Sequence, residues 1–217
     1  METVLSSAAP DFSSVFICVH LWFFISMTDP IARFQRWFAR ARATEPALPE
    51  AMTLATADAR GRPSARMVLL KHADRDGFVF YTNGRSRKGA QLRTNPRAAL
   101  VFHWGALGRQ VRVEGPVEEV SAAEADAYWA TRPRASQLAA LASEQSAPLP
   151  ARAQLVARWR ALAARCRGVA VPRPRHWTGY RVIPQAIEFW THRDHRLHDR
   201  ELFTRTGRGW KRTRLQP

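Results

Sequence analysis

Lysine is nearly missing from this chain: of its 34 basic residues only Lys71, Lys88 and Lys211 are lysines. Arginine holds the other basic positions, so a site that keeps lysine is one that suits a compact, strongly hydrated ammonium rather than a planar fork. Carboxylates are scarce as well. Eighteen acidic residues against 34 basic ones leave a formal net charge of +16, which fits a nucleic-acid binder, a membrane-surface protein or an enzyme for anionic small molecules. No block of five or more like charges occurs, nor a zinc-finger spacing, an aromatic RNA-binding motif or a basic heptad pattern, which weighs against DNA and RNA. The two cysteines, Cys18 and Cys166, make neither a disulfide framework nor a metal cluster and suit a reducing cytoplasm. The aromatic-rich run from Val15 to Met27 is 13 residues, too short to span a bilayer, and lacks the positive flank of a signal peptide. A P-loop, a GxGxxG fingerprint and a nucleophile elbow are all missing, so hydrolysis and Rossmann-type dinucleotide binding find no support.

What is present reads as one globular unit. The chain has 217 residues, 46% of them hydrophobic, enough for a substantial core. Residues 1–28 do not match the rest. They read as a mis-called extension or a disordered tail, with Met27 as the natural start and 29–217 as a single domain; an intact native mass that includes residues 1–26 would refute this. Asp29-Pro30 opens a helix to about Ala43 with Ile31, Phe34, Trp37 and Phe38 on one face. Strands are expected at 51–58, 64–72, 78–82, 98–104 and 109–119, with Ser86 capping a short helix that ends near Asn95-Pro96. Ser121 and Glu124 form a capping box for a helix to Thr131, followed by helices at 133–143 and 150–166. Four strands close the chain, at about 178–183, 186–191, 199–205 and 210–214. Short strands joined by tight turns predict a mainly β fold with flanking helices, an antiparallel barrel rather than a parallel sheet.

Four clusters carry candidate chemistry. In the strand 64–71, alternation puts Arg66, Val68 and Leu70 on one face and Met67, Leu69 and Lys71 on the other. If both cations bind phosphate, they bind different phosphates. Ser86-Arg87-Lys88 sits at a helix start, where basic residues oppose the helix dipole unless an anion is present. Tyr128 and Arg132 share a helix face at i, i+4, with Ser136 in the first turn of the next helix. His195 to Arg200 is the densest polar stretch; an extended backbone places Arg196, His198 and Arg200 on one face, with Trp190 near enough to pack on a ring. His192, His195 and His198 are three apart, but the neighbouring arginines repel a cation, so no metal is expected.

Taken together, the segments RMVLLK (66–71), FVFYTN (78–83), SRK (86–88), NPRAALVFHW (95–104), RQVRVEG (109–115), RPRASQ (132–137), EQS (144–146), IEFW (187–190) and RLHDR (196–200) resemble the pyridoxine/pyridoxamine 5′-phosphate oxidase family. The resemblance runs from about Asp29 to Pro217. It implies an FMN-binding split β-barrel in a cytoplasmic homodimer whose FMN sites draw on both subunits. FMN would then lie against Arg66, Met67, Val68, Leu69, Leu70 and Lys71, with Tyr81, Thr82, Arg87 and Lys88. Gln110, Gln145, Ser146, Trp190 and Arg200 complete that set. The substrate phosphate falls to Lys71, Tyr128, Arg132 and Ser136, and the substrate ring to Arg196, Leu197 and His198, of which Arg196 and His198 carry the catalytic roles.

The implied reaction oxidises pyridoxine and pyridoxamine 5′-phosphates to pyridoxal 5′-phosphate with O2 as acceptor, releasing H2O2, and ammonia from the amine. Two departures stand out. Residues 1–28 contain nothing like the Arg-Arg-Glu-Tyr segment that helps some members cover their substrate. Thr178 stands where a second glycine is common, with local consequences expected. The alternatives are a related split-barrel flavoprotein acting on another substrate, a non-catalytic FMN or pyridoxal-phosphate carrier, and a nucleic-acid binder driven by the net charge.

Overall fold

The computed structural model describes residues 29–217; the expectations for residues 1–28 lie outside the described residues. Helix α1 (Pro30–Thr44) starts because Asp29 Oδ1 accepts from the backbone N–H groups of Ile31 and Ala32 and Pro30 supplies a helical φ. Its apolar face lies on the sheet, where the Phe34 ring meets Phe78 at 4.8 Å and Phe102 at 5.0 Å. Burying one such ring contributes roughly 1.5–3 kcal/mol, so α1 is held by packing more than by helix propensity.

The strands are β1 (Ala51–Ala57), β2 (Pro63–Leu69), β3 (His72–Asp74), β4 (Gly77–Asn83), β5 (Arg97–Trp104) and β6 (Arg109–Glu119). They continue as β7 (Trp177–Val182), β8 (Ala186–Thr191), β9 (Asp199–Thr206) and β10 (Gly209–Leu215). Pairing is antiparallel throughout, in the order β10-β9-β8-β6-β5-β1-β2, with β3-β4-β7 joined through β6. Strand β6 is where the barrel splits. Its first half, residues 109–114, pairs with β8, and Val117–Glu119 pairs with β7. Gly115 stands at the fork, where a Cβ would come within 1.9 Å of the Ile183 carbonyl oxygen. Only glycine lets the β7–β8 turn pass there.

Three expectations need correction, one for a strand and two for helices. The segment expected as one strand from Ser64 to His72 is two, because the chain leaves β1 after Leu69 and Lys71 N–H donates to Val79 of β4. The helix expected from Pro133 begins at Arg134, with Pro133 as its cap residue. Ser121 does cap its helix, but Glu124 does not complete the box; its carboxylate instead accepts from Arg181 at 3.0 and 3.2 Å. The helices that matter below are α2 (Arg87–Thr94), α3 (Ala122–Thr131), α4 (Arg134–Ala142) and α5 (Arg152–Arg165). Among the described residues no helix is long and apolar enough to cross a membrane.

Candidate active site

β2 ends the strand order, and a cavity of about 580 Å3 runs along its free edge. Arg66, Met67, Val68, Leu69 and Lys71 all line it. Side-chain alternation holds, since Arg66 and Val68 turn inward while Met67 is 63% exposed. An edge strand offers both of its faces to one groove, so the two cations of opposite parity share a cavity. Leu70 does not line the cavity, because its side chain is packed in the core.

The opposite wall comes from β4, α2, α3 and the segment after α4. Tyr81 and Thr82 contribute from β4, Arg87 and Lys88 from α2, Tyr128 and Arg132 from the end of α3, and Gln145 and Ser146 from the segment after α4. Five cations line the cavity, and among the described residues no carboxylate does. Ser136 lies beside it, in a second cavity of about 340 Å3 that shares Tyr81, Thr82, Arg132 and Gln145.

Lys88 is the least comfortable of the five. It is 7% exposed, and its ammonium donates to Thr82 Oγ1 at 2.8 Å, Ser86 Oγ at 3.0 Å and Gln145 Oε1 at 3.1 Å. All three acceptors are neutral. Burial, and then the charge of Arg66, pull its pKa down to about 8. Ser86 departs from its expected role here. Its hydroxyl donates to Asn83 and accepts from Lys88, so it caps no helix N–H, and Arg87 N–H donates to Ser146 Oγ at 3.2 Å instead. Gly89 permits this close seat, because a Cβ there would fall 2.1 Å from the Gly84 carbonyl oxygen.

Arg66 is held by residues that sequence reasoning missed. It donates to Thr56 Oγ1 at 2.6 Å and to Ser64 Oγ at 2.5 Å, while Gln91 Oε1 accepts from both hydroxyls at 2.7 and 2.8 Å. Burial, then Arg87, holds its pKa below the usual arginine value. The signal was available: Ser64 and Arg66 share a strand face, and Lys88 and Gln91 are i, i+3 on a helix. Arg132 donates to the Ser136 carbonyl at 3.2 Å, lies over Trp177 at 4.8 Å, and leaves its Nε buried without a partner. Beneath it Tyr81, Tyr128 and Trp177 form a parallel stack, with Tyr81 and Tyr128 4.0 Å apart. Burial, then Glu124, pushes the Tyr81 hydroxyl up to about 12, so it stays protonated as a donor. Gly179 makes room for the Tyr81 ring, whose Cε1 a Cβ would meet at 2.7 Å.

The remaining expected residues do not reach this cavity within one chain. Gln110, Trp190 and Arg200 form one row across β6, β8 and β9, as the pairs Gln110–Trp190 and Trp190–Arg200. Arg200 donates to the buried Glu188 at 2.8 Å, which also accepts from Arg112 at 3.2 Å. The His198 ring lies 4.6 Å from Trp190, and Arg196 and Leu197 are exposed on the adjoining loop. One chain thus carries two separate polar clusters, the cationic cavity and the row across β6, β8 and β9.

The model of the family described as pyridoxamine 5′-phosphate oxidase matches residues 40–166, which hold the cationic cavity. A second model, the pyridoxine 5′-phosphate oxidase C-terminal dimerisation region, matches residues 177–217, which carry Trp190 to Arg200. This chain belongs to the pyridoxine/pyridoxamine 5′-phosphate oxidase family. A family member so named from Gluconobacter oxydans is 55% identical over 189 residues, 87% of this chain and 94% of the relative. Another pyridoxine/pyridoxamine 5′-phosphate oxidase, from Sphingopyxis alaskensis, is 57% identical over 87% of this chain and 88% of its own length. Among solved structures, PhzG from Burkholderia lata, in complex with tetrahydrophenazine-1-carboxylic acid, is 36% identical. It superposes with a TM-score of 0.83 over 88% of this chain and 93% of its own. An FMN-binding protein from Nostoc punctiforme, related to pyridoxamine 5′-phosphate oxidase, shares the fold at 17% identity and a TM-score of 0.69, covering 85% of this chain and 96% of that one.

Proposed function

We propose that this protein oxidises pyridoxine 5′-phosphate and pyridoxamine 5′-phosphate to pyridoxal 5′-phosphate with FMN and O2, in vitamin B6 biosynthesis and salvage in the cytoplasm. The observation that carries the reading is the carboxylate-free cavity lined by Arg66, Lys71, Arg87, Lys88 and Arg132. Two buried groups test the fit to phosphorylated ligands. Lys88 has only neutral acceptors, and Arg132 Nε has no partner; an anion would answer both deficits. Arg66, Arg87 and Lys88 would hold the FMN phosphate, with Ser146 and the α2 N-terminus beside it. Met67 to Leu69, Thr82 and Gln145 would border the rest of the cofactor.

Lys71, Tyr128, Arg132 and Ser136 would take the substrate phosphate. The Tyr81–Tyr128–Trp177 stack makes that end rigid, so the phosphate acts as an anchor from which the reacting carbon is placed. Gln110, Trp190 and Arg200, with Arg196, Leu197 and His198 toward the substrate ring, belong to the half-site of the second subunit in a homodimer. Bound FMN supplies the hydride acceptor that O2 reoxidises, giving H2O2. Arg196 orients the pyridine ring and offsets charge near the reacting carbon, and His198 donates or accepts a hydrogen bond to it.

Purified protein is expected to be yellow and to release H2O2 with either phosphate ester. Colourless protein that FMN fails to reconstitute refutes the reading. Oxidation that is indifferent to loss of the 5′-phosphate favours a related flavoprotein acting on another substrate, and binding without turnover favours a carrier.

A further inference from the structure

The loop between β8 and β9 is strained at its centre. His195 (φ 56, ψ 21) and Arg196 (φ 63) both occupy the left-handed region, which residues with a Cβ enter at an energetic cost. Two such residues in succession persist only where the surroundings over-determine them. Three interactions do so here. Arg193 Nε donates at 2.7 Å to Oδ2 of Asp199, which belongs to the last β8–β9 ladder pair, Thr191–Asp199. Arg193 N–H donates to His198 Nδ1 at 3.2 Å, and Leu197 N–H donates to the Asp194 carbonyl at 3.1 Å. The ion pair closes the mouth of the loop, and the two backbone bonds fix its interior.

We propose that Arg193 and Asp199 are positioning residues whose ion pair clasps this loop. The clasp keeps His195 and Arg196 in the left-handed backbone that presents Arg196, and it fixes His198 as the Nε2–H tautomer. The tautomer follows from the geometry: Nδ1 accepts a backbone N–H, so a neutral ring carries its proton on Nε2. Neither residue touches the cationic cavity. The kinetic consequence rests on the functional reading above, whereas the tautomer does not.

The test uses the flavin-loaded full chain, with the wild type compared with Asp199→Asn, Arg193→Gln and the double variant. Kinetics are read beside histidine 15N spectra assigned with His198→Gln. Both single variants are expected to retain FMN, lose about tenfold in kcat/KM, and lose the Nε2–H preference at His198. The double variant should be no worse than either single, because one shared pair is removed. Adding His195→Gly to Asp199→Asn should restore at least half of the lost activity, since glycine accepts that backbone without strain. If Asp199→Asn fails to fold, Arg193→Gln answers from the other member of the pair. Unchanged spectra and kinetics, or a loss that His195→Gly leaves in place, overturn the proposal. A wild type that oxidises neither ester, yet shows a tautomer lost in Arg193→Gln, refutes the functional reading and leaves the clasp standing.

Discussion

Lys88 gives FMN binding a particular dependence on pH. Without an anion, its ammonium is held at about 8 by burial and by Arg66. An FMN phosphate, dianionic across the neutral range, reverses that balance and returns the pKa to its ordinary value or higher. Binding therefore takes up a proton. Affinity is full below about pH 8 and is lost as pH rises through it. With the free form at about 8, affinity between pH 7 and 9 should fall about tenfold, or about 1.4 kcal/mol. At pH 8 binding should take up about half a proton per site. FMN fluorescence quenching on the apoprotein reads the first quantity, and calorimetry in two buffers of different ionisation enthalpy reads the second. Folding responds in the opposite sense. The folded apoprotein disfavours the charged form, so the unfolded chain holds more protons above about pH 8. Apoprotein stability should therefore rise with pH as FMN affinity falls. A dissociation constant flat from pH 7 to 9, or the same slope in Lys88→Met, refutes the reasoning.

Lys71→Met should raise the KM for the phosphate ester while FMN stays bound; if it weakens only FMN, the assignment of the two cations to two phosphates is wrong. Mixing Lys88→Met with Arg196→Ala subunits should recover about a quarter of wild-type activity, since half the dimers hold one intact site of two. Recovery is absent if each site is built from one chain. Gly179→Ala should cost about 1–3 kcal/mol in a urea unfolding series, because its Cβ meets Tyr81 at 2.7 Å and Val120 at 2.8 Å. Glu188→Gln should cost about 1–3 kcal/mol and weaken FMN, because it removes the charge that Arg112 and Arg200 share.

Local chemistry made much of the fold readable. Asp29-Pro30, Ser121 and the strand alternation around Val111 and Val113 each act over a few residues, and each structural element follows where they point. The break after Leu69 was hidden, because Leu69, Leu70 and Lys71 continue a strand-like run and only the change of partner from β1 to β4 ends it. Within the site, Arg66, Lys71, Lys88 and Arg132 were visible as cations, and the structure gathers them around one cavity. Thr56 and Glu188 were not, since a buried polar residue acts through distant partners that spacing along the chain does not encode. Ser86 misled for a similar reason: its capping position is right, but Lys88 captures its hydroxyl.

The free edge of β2 has a consequence for the unloaded protein. An unpaired strand edge is a template for another chain, and this one carries an exposed Met67 with Pro63 only at its beginning. Cofactor and subunit contacts along that edge would shield its backbone from stray pairing. Flavin shortage would then deplete the protein as well as idle it, as strand-to-strand aggregates accumulate. Light scattering of apoprotein and FMN-loaded protein at 37 °C distinguishes the cases, and equal scattering from both would remove the protective role.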